Sequence, residues 1–492
     1  MMQNLFVKLN EVGYYFGEVV HLSNSADLAQ SITMGGYTPE GDDGTVDMDY
    51  IIIDAQIYLK LPQPPLTCKY TPKMSSRFLE KVMDMIATGT GMPQFINGPL
   101  TVERALHLFS DTEAGMTIEK ARSMTIGGCV PCFIPYETGH PVESQPNLGK
   151  VLELTMNNGF DPRTQVQVGP KSGDPEKFKN FEELYTAFEM QLQFCEDIAR
   201  RESWIGTILC AEYLPVTWRS VLTASCIERG LESWNGGANY YTVAQVAVGG
   251  VDAANGLMAV KHLVFDEKKI TMAELRKALL ANFQGEYEPV HRMCYEAPKH
   301  GNDIHEVNML VRRVYESLLH AYQSVDGGGN YLSKDMKSTI DCYTKSFHNQ
   351  MGKITGALPT GKYAGVALTD GSLSAMPGTD VNGPTALVMS AAKSTDAVKF
   401  TATHMNMKLP PDQLKTRKGR ENVLTLVKTL FDNDGYHIQF NVVDTAILRD
   451  AQLHPENYRD LVIRVAGFSA FFVRLNKGVQ DEIINRTEQK FD

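Results

Sequence analysis

Arg464-Val465-Ala466-Gly467-Phe468-Ser469-Ala470-Phe471-Phe472 sets one glycine inside an apolar, aromatic and β-branched run, with an arginine ahead of it. A glycine inside a strand-like run marks a turn, a bulge, or a point where another backbone comes close. On these residues alone, a bulge in a buried strand explains the pattern as well as a functional turn does. The surroundings extend the pattern. Upstream stand Gly435-Tyr436-His437-Ile438-Gln439-Phe440-Asn441-Val442-Val443-Asp444, then Asp450-Ala451-Gln452 and Pro455-Glu456-Asn457-Tyr458-Arg459-Asp460-Leu461. Downstream stand Val479-Gln480-Asp481-Glu482-Ile483-Ile484 and Arg486-Thr487-Glu488.

Taken in order, these segments resemble the C-terminal glycyl radical domain of the glycyl radical enzymes. That superfamily includes pyruvate formate-lyase, the glycerol and choline lyases, hydroxyphenylacetate decarboxylase and benzylsuccinate synthase. The resemblance implies that Gly467 stores a stable backbone radical. Chemistry explains the residue type: a glycine α-carbon radical can flatten and delocalise into both flanking amides, and a β-carbon would oppose that. Such a site must also exclude water and oxygen. Val465, Phe468, Phe471 and Phe472 suit such a shield, and suit an ordinary core equally well.

The 492 residues are 43% hydrophobic, enough for a large core and, by length, for two to four domains. No run is apolar enough to span a bilayer, and Met1-Met2-Gln3-Asn4 opens no signal-peptide pattern. A net charge of −11 is mild for this size; it argues against a nucleic-acid partner and fits a soluble cytoplasmic protein. Eight cysteines at irregular spacing, in a long chain without a signal, read as reduced thiols.

The texture is α/β throughout, without internal repeats. Helical spacing covers Phe78 to Ile86, a short element opening at Thr117, Phe181 to Arg200, and Ile304 to Gln323. Thr271-Met272-Ala273-Glu274 forms a capping box for a helix through Phe283. Strand-like segments are Ile51 to Ile53, Thr242 to Val248 and His437 to Val443. Glycine- and proline-rich connections fall at Gly327-Gly328-Gly329 and across Thr355 to Pro384. The second of these again resembles the glycyl radical enzymes. It divides the chain into residues 1–354, similar to the C-terminal part of a pyruvate formate-lyase-like catalytic domain, and residues 355–492, the glycine radical domain.

The resemblance reaches the front of the chain through Leu61-Pro62-Gln63-Pro64-Pro65-Leu66-Thr67, Gly89 to Met92 and Trp234-Asn235-Gly236-Gly237-Ala238-Asn239-Tyr240. It implies a ten-stranded α/β barrel of two half-barrels, with a Cys loop and a Gly loop meeting inside. Family members are normally much longer, so the implied barrel is incomplete in its N-terminal half. Three readings follow: a fragment, an inactive copy, or one half of a split enzyme completed by a second chain.

The family relays its radical through a thiyl on a loop after a helix. Gly127-Gly128-Cys129-Val130-Pro131-Cys132 matches that place, which assigns Cys129 as the thiyl residue. Glycines let such a loop turn tightly and proline stiffens it. Read by spacing alone, Cys-x-x-Cys is equally a redox pair or half a metal site. The absence of a second such pair and of a nearby His pair argues against zinc, and no metal site is expected.

Around Cys129 the subtype is open. Dehydratase-type members and hydroxyphenylacetate decarboxylase place Glu two residues after the thiyl Cys for acid/base work. Pro131 stands there and cannot ionise. Formate acetyltransferases carry two adjacent Cys, whereas here Gly128 precedes Cys129 and Cys132 follows at a distance. Benzylsuccinate-type synthases use an Arg to clamp carboxylate. None occurs between Cys129 and Arg163, which leaves His140 and Lys150 as the available cations, with Cys132 as a third substrate-side candidate. The later glycine-rich strand, Val246-Ala247-Val248-Gly249-Gly250, has no carboxylate, and Asp252 reads as a cap for a helix from Ala253.

The lead expectation is a glycyl radical lyase of anaerobic metabolism, making or breaking a carbon–carbon bond in a small carboxylate or aryl substrate. A dehydratase or carbon–heteroatom lyase, a formate C-acetyltransferase and an inactive fragment are the alternatives. The implied partner is a radical-SAM activating enzyme. The cofactor is the post-translational glycyl radical itself, and homodimerisation is usual in the family.

Overall fold

The computed structural model describes residues 1–17, 30–139, 142–324, 335–344 and 346–491. His140 and Gly327-Gly328-Gly329 lie outside the described residues. The fold is α/β, built on two open sheets.

The first sheet holds β1 (Ile32–Gly35), β2 (Leu66–Tyr70) and β3 (Gln94–Asn97). The second holds β4 (Thr138–Gly139), β5 (Tyr240–Val246), β6 (Lys337–Cys342) and β7 (Ala402–Thr403). The chain then returns to the first sheet with β8 (Asn406–Leu409) and β9 (His437–Val442). Spatial order is β1-β2-β3-β9-β8 in one and β7-β6-β5-β4 in the other. Neighbours run parallel except at β3–β9, where His437 faces Ile96 and Ile438 faces Phe95 in antiparallel register. The two sheets hold nine strands among the described residues, against the ten that the resemblance implies.

Every residue of β2, β3, β8 and β9 is buried. Sheets covered on both faces are the usual setting for parallel strands. Yet Gln94, Asn406, Lys408, Gln439 and Asn441 alternate with Phe95, Met407, Leu409, Ile438 and Phe440. Side chains alternate across a strand. One face of this sheet is therefore polar although buried, and that face carries the site.

Helices supply the cover. Ser76–Ile86 is capped by Ser75, whose side chain accepts from Phe78 N. Met272–Leu280 has the capping box read from Thr271 and Glu274. His305–Gln323 packs against Gly250–Val260 and against the long helix Phe181–Tyr213. The C-terminal half of that long helix leaves Ile198, Ile205, Leu209 and Tyr213 exposed.

Two expectations are corrected. Ile51 to Ile53 is not a strand but lies inside the helix Asp47–Leu59. Asp49 accepts from Val46 N and Gly35 N, so a cap fixes the helix start and overrides the β-branched preference. Asp252 is not the N-cap of a helix from Ala253. That helix is Gly250–Val260 with Gly249 as its cap, and Asp252 instead pairs with Lys362 at 2.6 Å and accepts from Thr369 N at 2.7 Å.

After the first sheet come the antiparallel hairpin β10 (Val462–Arg464) and β11 (Ser469–Phe471), and the helix Lys477–Asn485. Ile463, Phe468, Phe472, Val479 and Ile483 form an apolar cluster separate from the main core.

Candidate active site

Cys129 stands at the tip of one tight turn. Thr125–Ile126 pairs antiparallel with Cys132–Phe133, and Gly127 N donates to Pro131 O at 2.9 Å. Gly128 has φ of 61°, a left-handed conformation that glycine adopts without strain. Gly467 stands at the tip of the β10–β11 hairpin, where Val465 N donates to Phe468 O at 2.8 Å. Its φ is 87°.

The two tips meet. A Cβ built on Gly467 would overlap the Cys129 Cβ and lie 2.8 Å from its Sγ and 3.1 Å from its Cα. The backbone conformation and the space beside Cys129 thus both select glycine. Cys129 is 4% exposed, and Val130, Val465, Ala466 and Phe468 around the contact are fully buried. Phe472 is buried as well, whereas Phe471 is only partly covered. The setting is dry and close-packed, as storage of a backbone radical needs.

Gln94 of β3 ties the two tips together. Its Nε2 donates to Cys129 O at 2.5 Å and to Thr67 Oγ1 at 2.9 Å. Its Oε1 accepts from Arg464 Nη2 at 2.8 Å. Arg464 also donates through Nε to Gln439 Oε1 at 2.6 Å. The Arg464 backbone is held at both ends by one side chain: N donates to Asn441 Oδ1 at 2.9 Å and O accepts from Asn441 Nδ2 at 2.8 Å. Ser469 Oγ donates to Thr90 O at 3.0 Å. Gly91 is fitted against Arg464, whose Cβ occupies the place of a Gly91 side chain.

Sequence comparison decides the family. A model described as pyruvate formate lyase-like matches residues 1–352, and one described as glycine radical matches residues 369–473. The chain belongs to the glycyl radical enzymes. It is 36% identical to trans-4-hydroxy-L-proline dehydratase of Clostridioides difficile, covering 100% of this chain and 61% of that protein. It is 32% identical to indoleacetate decarboxylase of Tractidigestivibacter scatoligenes, over 99% of this chain and 57% of that one. The glycerol-bound structure of the B12-independent glycerol dehydratase of Clostridium butyricum superposes with a TM-score of 0.92 at 33% identity, covering 100% of this chain and 61% of the other. The chain thus spans about six-tenths of the length of these relatives. Among the described residues, no helix of this glycyl radical enzyme is long and apolar enough to cross a membrane.

Two other predicted site residues, Cys132 and Lys150, are held by partners of their own. Cys132 is buried and engaged. Tyr436 Oη donates to Val130 O at 2.8 Å, which spends its one hydrogen, so the Cys132 thiol donates to Tyr436 Oη across 2.9 Å. Arg104 Nη1 reaches Cys132 Sγ at 3.5 Å and its guanidinium lies 3.9 Å from the Tyr436 ring centre. Lys150 pairs with Glu153 at 2.6 Å and Asp161 at 3.3 Å.

Spacing did not reveal Glu143, a carboxylate held by a buried tyrosine. Tyr343 Oη donates to both Glu143 oxygens, at 3.2 and 3.3 Å. The Tyr343 hydroxyl is pushed well above its ordinary value by burial, then by Glu143, Asp341 and the Cys129 thiol. It therefore stays protonated and holds Glu143 as a hydrogen-bond acceptor. Glu143 lies beyond any fixed spacing from Cys129, so no motif announced it. Gln94 had a weak signal: polar residues alternating through β3 and β9, which is costly in a buried sheet unless each is paired.

Proposed function

We propose that this chain stores a radical on Gly467 and relays hydrogen through Cys129 to a small hydroxylated or carboxylate substrate, eliminating a leaving group from it. The contact between the two turn tips carries the reading. Hydrogen-atom transfer needs near-contact geometry, about 3–3.5 Å between reacting atoms. The radical supplies a hydrogen-atom acceptor. Gly467 provides the planar α-carbon, the Cys129 thiol moves one hydrogen atom between that carbon and substrate, and the surrounding apolar side chains exclude water.

Dehydration or a related elimination is the preferred subtype. Pro131 removes the acid/base group expected beside Cys129, and Glu143, held by Tyr343, is the carboxylate assigned that work in its place. Glu143 would accept the proton of the substrate's retained hydroxyl and pass it to the departing hydroxyl, which leaves as water. The dehydratase likeness supports this order. Carbon–carbon cleavage remains the second reading, favoured by Pro131 and by the likeness to indoleacetate decarboxylase.

The test is anaerobic activation of the intact protein with a radical-SAM activating enzyme, S-adenosylmethionine and a reductant. Vicinal diols, hydroxyproline-like amino acids and aryl acetates are then offered. The expected result is an organic radical and water loss from one of the first two classes. Glu143→Gln should lower kcat about 10²–10⁴-fold, as loss of a general acid/base does, with the radical signal intact. Full turnover in Glu143→Gln would overturn its role, and carbon dioxide release from an aryl acetate would establish the second reading.

A further inference from the structure

The hairpin that carries Gly467 belongs to a unit with its own apolar core. One side chain of that unit reaches the hairpin from behind. Arg486, just after the helix Lys477–Asn485, is 7% exposed. Its Nη2 donates to Val465 O at 2.7 Å and its Nη1 to Arg464 O at 3.4 Å. These are the last carbonyls before the Ala466-Gly467 tip.

The same guanidinium is gripped by two buried carboxylates. Glu482 accepts from its Nε at 2.8 Å and from its Nη2 at 2.9 Å. Asp370 lies 3.5 Å away, on the connection between Lys353 and Gly383. Glu482 is also 3.6 Å from His348 Nε2. Asp370 accepts from Asn406 Nδ2 of β8, which also reaches Val465 O at 3.4 Å. Arg486 therefore couples the hairpin backbone to both the helix Lys477–Asn485 and the first sheet.

We propose that Arg486 is a positioning residue that seats the Gly467 tip against Cys129, with Glu482 and Asp370 fixing its guanidinium. The inference rests on the storage and relay roles given above to Gly467 and Cys129. An arginine serving only to neutralise two carboxylates would have no need to meet the hairpin carbonyls. The planar fork can bind carbonyls on one edge and carboxylates on another, which a lysine ammonium cannot reproduce. Transfer between two tips is steep in distance, and a displacement near 1 Å costs about 10²-fold. Small loss of this seat therefore reads out in relay before it reads out in storage.

The experiment uses the intact protein, activated anaerobically as above, in deuterium oxide. The single α-hydrogen of a glycyl radical splits its resonance into a doublet. The Cys129 thiol exchanges with solvent, so relay to Gly467 replaces that hydrogen by deuterium and collapses the doublet. Wild type should show the collapse, and Cys129→Ser should keep the doublet. Arg486→Gln should form the radical but collapse the doublet at least about 10-fold more slowly, with Arg486→Lys between the two. Collapse at the wild-type rate in Arg486→Gln would overturn the proposal. If that variant does not fold, Asp370→Asn and Glu482→Gln decide: slowed collapse in both supports the seat, and unchanged collapse in both overturns it. Absence of any radical in wild type would instead sink the storage role of Gly467, and this inference with it.

Discussion

Gly467 is selected twice over. Its φ of 87° costs any side-chain-bearing residue about 1–2 kcal/mol, and the volume a methyl would need is filled by Cys129. Gly467→Ala should lower thermal stability and abolish both the radical signal and the scission that air causes at a glycyl radical. Mass spectrometry should find wild type cut at Gly467 after exposure to air, with the small piece running to Asp492. Cys129→Ser should keep signal and scission and lose turnover, because storage and relay are separate tasks. Equal scission in Gly467→Ala would remove the residue from its role. Both positions were legible in the sequence because each is a glycine-marked turn within a long ordered resemblance. The resemblance also implied that the two loops meet, and they do; the side chains that tie them, Gln94 and Arg464 among them, were not legible, since they come from distant segments. Cys132 was read as a substrate-side candidate, whereas its partners in the fold, Arg104 and Tyr436, come from distant segments and left no local signature.

At the scale of elements, the first sheet works by presenting a paired polar face to the hairpin. Asn441 is its clearest case, since one amide side chain holds Arg464 by both its N–H and its carbonyl. Asn441→Ala leaves two buried backbone groups without that partner. The expected cost is about 2–4 kcal/mol at roughly 1–2 per orphaned group, with faster amide exchange at Arg464 measured by hydrogen–deuterium exchange. Unchanged exchange there would show that other contacts hold the strand. Element type was well marked where caps or periodicity were strong. The Thr271 capping box and the helix ending at Gln323 are examples. Ile51 to Ile53 misled because three β-branched residues mimic a strand, while the deciding contact, Asp49 to Gly35 N, reaches back to β1. The polar register of β3 and β9 was visible as letters, yet only the fold shows that it faces the hairpin.

For the molecule as a whole, buried histidines and buried carboxyls pull the response to acid in opposite directions. His300 is fully buried, with Nε2 3.0 Å from Leu373 O, and burial lowers its pKa to about 4 from 6.5. His404 is lowered to about 3 by burial and by the Arg464 charge. His437, with its ring centre 4.6 Å from that of His404, is lowered by burial, then by His404 and Arg464. A histidine with a depressed folded pKa binds fewer protons folded than unfolded. Its contribution is complete above pH 6.5 and is lost as pH falls toward the folded value. For His300 alone the loss across that window is on the order of 3 kcal/mol. Asp380 acts the other way: burial raises it to about 6 from 3.8, so its contribution is lost as pH rises through 6. Glu196, raised by burial to about 8 from 4.5, acts as Asp380 does, and Asp49 and Asp370 are raised by burial as well. Removing one buried imidazole should shift that balance toward acid tolerance: between about pH 7 and about pH 5 the thermal midpoint of His300→Gln should fall less, or rise more, than that of wild type, whatever the change does at neutral pH. An unchanged pH dependence in His300→Gln would remove that imidazole from the balance.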